Sequence, residues 1–229
     1  MSRIARLTLG ADGHLTGLIY ETMSGAQALL WRQAALRSDE AGVKKQFEDN
    51  LQHSMPPGVQ VKLNHFVGIT DFVHPLMAIV NASGTLGTTT GKHLFLPAVF
   101  FEAGNPPLFA ETHREDPVYM HFPYMVKDDF QVMLPDNMTV ESLPKGGDIP
   151  FAPDADYLIQ FGSGPHTFAY GRLLRDANII YKPTVYPALR TFFQKVSASD
   201  QEQIAVKISP IPVPATTASA APATAAAGK

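Results

Sequence analysis

From Val59 onward the sequence is written in short extended runs, each closed by Pro, Gly, Asn or Asp. "VQVKLNHFVGI" alternates over Val59, Val61, Leu63 and His65 before its phase shifts. "PLMAIVNASG", "KHLFLPAVFF", "PVYMHFPYMV", "FQVMLP", "TVESLP", "ADYLIQFGSG" and "HTFAYGRLLRDANIIY" follow as further strands. Strand side chains alternate between two faces, and Pro and Gly interrupt pairing, so this pattern restricts the chain to many short strands joined by turns. The expected class is α+β, predominantly antiparallel β, with sandwich-like sheets.

The first 57 residues have a different pattern. Ile4, Arg6 and Thr8 alternate with Ala5, Leu7 and Leu9, Asp12-Gly13 supplies a tight turn, and Leu15 to Glu21 returns, which predicts an N-terminal hairpin. Two helices are expected next. In the first, Ser24 is the N-cap and Leu29, Leu30, Ala34 and Leu36 form the buried face. The second covers Asp39 to His53, with Ser38 or Asp39 capping and Val43, Phe47 and Leu51 spaced at i, i+4, i+8 until "MPPG" ends it. A C-terminal helix places Tyr186, Leu189, Phe193 and Val196 on one face with Pro187 in its first turn, and "QEQIAVKI" closes the fold as a strand. Residues 1–208 are thus expected to form a β-rich domain, with a subdivision near 57. The Pro/Ala/Thr-rich stretch 209–229 is expected to be a disordered tail.

Composition narrows the function classes. At 45% hydrophobic and 17% charged residues the chain can bury a core. A net charge of −3 and a pI near 6.2 give no basic field for nucleic acid. The sequence contains no cysteine, which removes disulfides, thiolate metal sites and a cysteine nucleophile. The start "MSRIARLTLGADG" lacks the apolar core of a signal peptide, and "HLFLPAVFF" is too short to span a bilayer. As written the chain is expected in the cytoplasm, or in the periplasm or envelope if it belongs to an exported parent.

The densest polar stretch is 112–144, where His113, Glu115, Asp116, His121, Asp128 and Asp129 lie close in sequence. A metal site needs ligands converging to about 2.0–2.2 Å of one ion, and nothing in the sequence forces that. The stretch instead reads as a loop at 113–116 and a strand at 118–126. That strand places Val118, Met120 and Phe122 on one face, Tyr119 and His121 on the other, and Asp128 and Asp129 in a hairpin turn. "GTLGTTTGKH" imitates a phosphate loop but has three residues between its glycines and His93 after Lys92, so it reads as a strand-to-strand loop. "FGSGPHTFAYG" reads as a turn between two strands. Catalytic, metal and cofactor residues are therefore expected to be none.

Three stretches carry a resemblance. "REDPVYMHFPYMVKDDFQVMLPDNMTVESLP", "YPALRTFFQKVSASDQEQIAVK" and "LTLGADGHLTGLIYETMSGAQALLWRQ" are similar to the C-terminal β-rich region of bacterial envelope proteins that carry an N-terminal domain of unknown function and a transglutaminase-like domain. The similarity covers about residues 3 to 208. It implies a non-catalytic accessory or interaction domain associated with a transglutaminase-like (papain-like cysteine) domain, in cis or in trans. That enzyme's Cys-His-Asp set finds no cysteine here, so none of its catalytic residues carries over. The alternatives are an independent module binding an envelope peptide or glycan, and a hydrolase with an unrecognised site. Arg114, Tyr119, His121 and Tyr124 are the candidate interaction surface, as aromatic and guanidinium groups of the kind that anchor interfaces.

Overall fold

The computed structural model describes residues 1–210. β1 (Ser2–Leu9) and β2 (His14–Met23) form the expected hairpin. α1 (Gly25–Arg37) and α2 (Glu40–Ser54) follow, then β3 (Val59–Val67), β4 (Leu76–Thr85), β5 (Thr88–Thr90) and β6 (His93–Pro97). A 3-10 turn at Phe100–Glu102 and a long loop lead to β7 (Val118–Tyr119) and β8 (Tyr124–Met133). β9 (Met138–Ser142), β10 (Gly147–Phe151), β11 (Ala155–Gly164), β12 (Thr167–Asp176) and β13 (Ile180–Tyr181) come next. α3 (Tyr186–Asp200) and β14 (Gln203–Ile208) close the fold. The expected tail at 209–229 lies outside the described residues from 211 on.

The molecule is α+β with mostly antiparallel strands in open sheets. The main sheet has eight strands in the order β10-β11-β12-β8-β1-β2-β4-β3, and its one parallel pairing is β1 with β8. A four-stranded sheet runs β5-β6-β14-β9, and β7 pairs with β13. Side chains from both larger sheets and all three helices join one hydrophobic cluster extending from Ala5 to Val206.

Most local expectations hold because local chemistry decides them. Asp39 caps α2, its Oδ1 accepting from the Gly42 N–H at 2.8 Å, and Val43, Phe47 and Leu51 are buried. α3 buries Tyr186, Leu189, Phe193 and Val196, with Pro187 at its start. Of the glycine-rich stretches, 84–93 is not a plain loop but contains the short strand β5, in a hairpin with β6, whereas β11–β12 reverses at Pro165-His166 as a turn.

Three expectations are corrected. Residues 118–126 do not form one strand. β7 and β8 belong to different sheets, and between them His121 has φ 66°, in the left-handed region that strand geometry excludes. Asp128 and Asp129 are not in a turn but in the interior of β8, paired on both sides. "KHLFLPAVFF" ends as a strand at Pro97 and continues as the 3-10 turn.

The buried face expected of α1 is the fourth difference. Its buried residues are Ala28 and Arg32, whereas Leu29, Leu30 and Leu36 are exposed, Leu36 at 76%. Ser24 occupies the N-cap position without a side-chain hydrogen bond. Arg32 fixes the rotation of the helix: its guanidinium donates to the carbonyls of Gly68 and His74 at 3.2 and 2.7 Å, tying α1 to the β3–β4 loop.

Candidate functional site

The inward faces of four neighbouring strands carry a row of charges. Register sets Arg172 of β12 beside Asp128 of β8, Asp128 beside Arg3 of β1, and Arg3 beside Glu21 of β2. All four are buried, Asp128 with 1% of its surface exposed. Directly opposed cross-strand residues of opposite sign attract, and burial strengthens that attraction.

Two more carboxylates close over the row. Arg3 Nε and Nη2 donate to Asp128 Oδ1 and Oδ2 at 2.7 and 2.8 Å, and Nη2 also donates to Glu102 Oε1 at 2.6 Å. Arg172 Nε and Nη2 donate to the two oxygens of Asp200, at the end of α3, at 2.9 and 2.8 Å. Its Nη1 lies 3.4 Å from Asp128. Tyr157 donates its hydroxyl to Asp200 at 2.7 Å, and the Arg3 guanidinium sits 4.5 Å over the Phe101 ring. Paired forks of this kind satisfy guanidinium donors where water is excluded.

Burial alone would lower the pKa of Arg3; Asp128 and Glu102 reverse this and hold it above the ordinary arginine value. Burial alone would likewise raise Glu102, but Arg3 and Arg172 outweigh it and leave that carboxyl below its usual range. Glu21 behaves oppositely. Burial lifts it, Arg3 opposes only in part, and no hydrogen bond to its carboxylate is formed among the described residues.

The depressed Glu102 pKa has a stability consequence. Its ionised form is favoured by folding, so its contribution is complete above the unfolded value of 4.5 and is lost as pH falls through the lower folded value. E102Q is expected to destabilise the protein at pH 7 by about 1.5–3 kcal/mol, the range for a hydrogen bond to a charged group. The gap to the native chain should close on acidification below 4.5. Urea titrations of both proteins across that range check this. A gap that stays constant would show that Glu102 acts through packing alone.

The residues singled out at 112–144 are dispersed. Tyr119 and His121 are exposed with ring centroids 4.7 Å apart, beside Ile180, which pairs with Tyr119. Arg114 turns away and lies 5.4 Å over the Tyr186 ring of α3. Tyr124 is partly buried; burial, then the charge of Asp176, pushes its hydroxyl pKa up. It lines a cleft of about 500 Å³ with Met1, Gly25 and Phe122. His113 and Asp116 are exposed in the loop.

Two clefts open on the charge row. One, of about 310 Å³, has Arg172, Asp200 and Glu102 at its base and Pro106, Leu108 and Phe193 along its sides. The other, of about 580 Å³, lies between α1, α2 and the sheet, with Arg3, Glu21, Trp31 and Asn50 in its lining. Sequence reading missed this row. The available signal was polar residues at inward positions of alternating strands: Arg3 ahead of Ala5 and Leu7, and Asp128 ahead of Phe130 and Val132.

No helix among the described residues is long and apolar enough to cross a membrane. The model of a family described as "Domain of Unknown Function with solved-structure structure" (DUF3858) matches residues 92–206. No curated protein and no solved structure matches the chain. The matched segment contains β8, β10, β11 and β12, one half of the main sheet, and β1 to β4 complete the other half. The seam between the halves is the β1–β8 pairing, and the Arg3–Asp128 ion pair lies on it.

Proposed function

The chain belongs to the DUF3858 family, and from that premise we propose that it is a non-catalytic interaction domain whose partner is a transglutaminase-like domain, in the same polypeptide or a separate one. The observation that supports this most is the surface of α1 and the β3–β4 loop. Leu29, Leu30 and Leu36 stand exposed on the helix, and Phe72 and Val73 stand exposed on the loop that Arg32 ties to it, Val73 at 86%. The Arg32 guanidinium lies 5.5 Å from the Phe72 ring, which places the loop against the helix. Several apolar groups exposed together on one region mark an interaction surface more often than isolated ones do. The partner is inferred from the resemblance of the sequence to the terminal region of transglutaminase-like envelope proteins.

Burying a leucine side chain contributes about 1.5–3 kcal/mol. The double variant L29E/L36E is therefore expected to weaken association with the transglutaminase-like polypeptide at least about tenfold by calorimetry. Because both positions are exposed, its own stability should stay within about 0.5 kcal/mol of the native chain. Unchanged affinity, or turnover of a peptide or glycan by the isolated chain, would refute the proposal.

A second reading, a module that binds an envelope peptide or glycan, draws support from the Tyr119–His121 shelf with Ile180 beside it. Loss of binding on changing Tyr119 and His121, with the α1 variant unaffected, would transfer the role to that shelf.

A further inference from the structure

We infer that the cleft over Glu21 binds a primary ammonium or guanidinium carried on an alkyl stem, the side chain of lysine or arginine in a peptide being the class that fits. The floor of the cleft is a carboxylate without a partner: Glu21 is only 7% exposed, yet no hydrogen bond to it is formed among the described residues. Desolvating an unpaired charge is costly, and an incoming cation relieves that cost. The neighbouring Arg3 does not fill the role. Its guanidinium is already bound by Asp128 and Glu102, at 2.6 to 2.8 Å. Across the whole cluster two guanidiniums, Arg3 and Arg172, and the Met1 ammonium, which donates to the Met125 carbonyl at 2.8 Å, face four carboxylates, Asp128, Glu102, Asp200 and Glu21. The surplus is negative, and Glu21 is the member that opens on the larger cleft without an ion-pair partner.

The walls suit the stem. Trp31 of α1 and Phe47 of α2 meet edge to face at 4.9 Å and both line the cleft. Aromatic faces attract a cation and cover the methylenes leading to it. Gln27, Asn50 and Asn105 add amide groups around the opening, partners for the backbone of a bound peptide. The volume of about 580 Å³ lies within the range of sites that take a small organic ligand.

Trp31 is the only tryptophan of the chain, so its fluorescence reports on this cleft. The full chain is titrated with Nα-acetyl-lysine methylamide, with the neutral Nα-acetyl-norleucine methylamide, which keeps the four-carbon stem but lacks the ammonium, and with n-butylamine. The lysine derivative is expected to give a saturable change, and the norleucine derivative to bind at least about tenfold more weakly. Tighter binding of the lysine derivative than of butylamine identifies a peptide side chain as the ligand; equal binding identifies a free amine. E21Q should weaken the lysine derivative at least about tenfold while melting no lower than the native chain, because it removes a buried unpaired charge. The inference fails if the charged and neutral probes behave alike, if E21Q binds as the native chain does, or if no saturation appears by about 10 mM. The lysine and norleucine comparison on the native chain decides the matter even if E21Q does not fold. Leu29 and Leu36 do not line this cleft, so L29E/L36E leaves the Trp31 titration unchanged, and the two readings stand or fall separately.

Discussion

Replacing Asp128 with alanine is expected to destabilise the fold by about 3–5 kcal/mol, the loss found when one partner of a buried ion pair is removed. Asp128 is the anion between two guanidiniums. Arg3 binds it through two nitrogens at 2.7 and 2.8 Å, and Arg172 approaches at 3.4 Å. Without it Arg3 keeps Glu102, and its Nε is left without an acceptor on a side chain that is only 5% exposed. The loss falls on the seam between the two halves of the main sheet, because Arg3 and Asp128 are direct register partners across the parallel β1–β8 pairing. Global unfolding by urea should therefore show a lower midpoint with an unchanged slope.

Charge pairing at this seam is separable from simple filling of space. Buried ion pairs contribute little net stability relative to apolar residues of the same volume. The combined variant R3M/D128L should be less destabilised than the sum of R3M and D128L measured singly, with a coupling of about 1–3 kcal/mol. Because the pair is buried, the D128A deficit should persist at high salt, where exposed ion pairs are screened. A deficit below about 1 kcal/mol would mean that the row is incidental to the fold.

What the sequence disclosed, and what it hid, divides along the distance over which the deciding forces act. The β1–β2 hairpin was legible because Asp12-Gly13 and the alternation around it are local. α2 and α3 were legible because caps and apolar stripes lie within one helix. The charge row was not, because Arg3 and Asp128 are 125 positions apart and become neighbours only through a parallel pairing that no local signal announces. Two adjacent aspartates look like a turn in isolation. Here Asp128 faces inward because guanidiniums stand on both sides of it, while Asp129 faces outward. α1 was misjudged for a related reason. Its leucines suggested a buried face, but the rotation of the helix is set by Arg32 reaching carbonyls 36 and 42 positions away. Of the four candidate surface residues, only Tyr119 and His121 share a location, since the break after Tyr119 sends Tyr124 into a different sheet.

Replacing Phe130 with alanine is expected to destabilise the protein by about 3–5 kcal/mol through a different mechanism, and the comparison with Asp128 is informative because both lie on β8 and face inward. Phe130 occupies the row next to the charges, where register places Phe161, Tyr170, Phe130, Ala5, Ile19 and Val80 side by side across the sheet. Its ring stacks on Tyr170 at 4.9 Å and on Phe100 at 5.1 Å, with Phe168 and Phe101 further out. Phe100 belongs to the 3-10 turn that also carries Glu102, and its N–H donates to the Tyr170 hydroxyl at 3.0 Å. Phe130 thus supports the segment that closes over the charge row. A cavity at this point cannot collapse easily, since paired strands hold both flanks, so the upper part of the range is expected. F130L, which keeps most of the volume, should cost about 1.5 kcal/mol or less. Thermal and urea unfolding of both variants decide the matter. If F130A lost less than about 1 kcal/mol, or F130L lost as much as F130A, the aromatic row would not be what holds the 3-10 turn against the sheet.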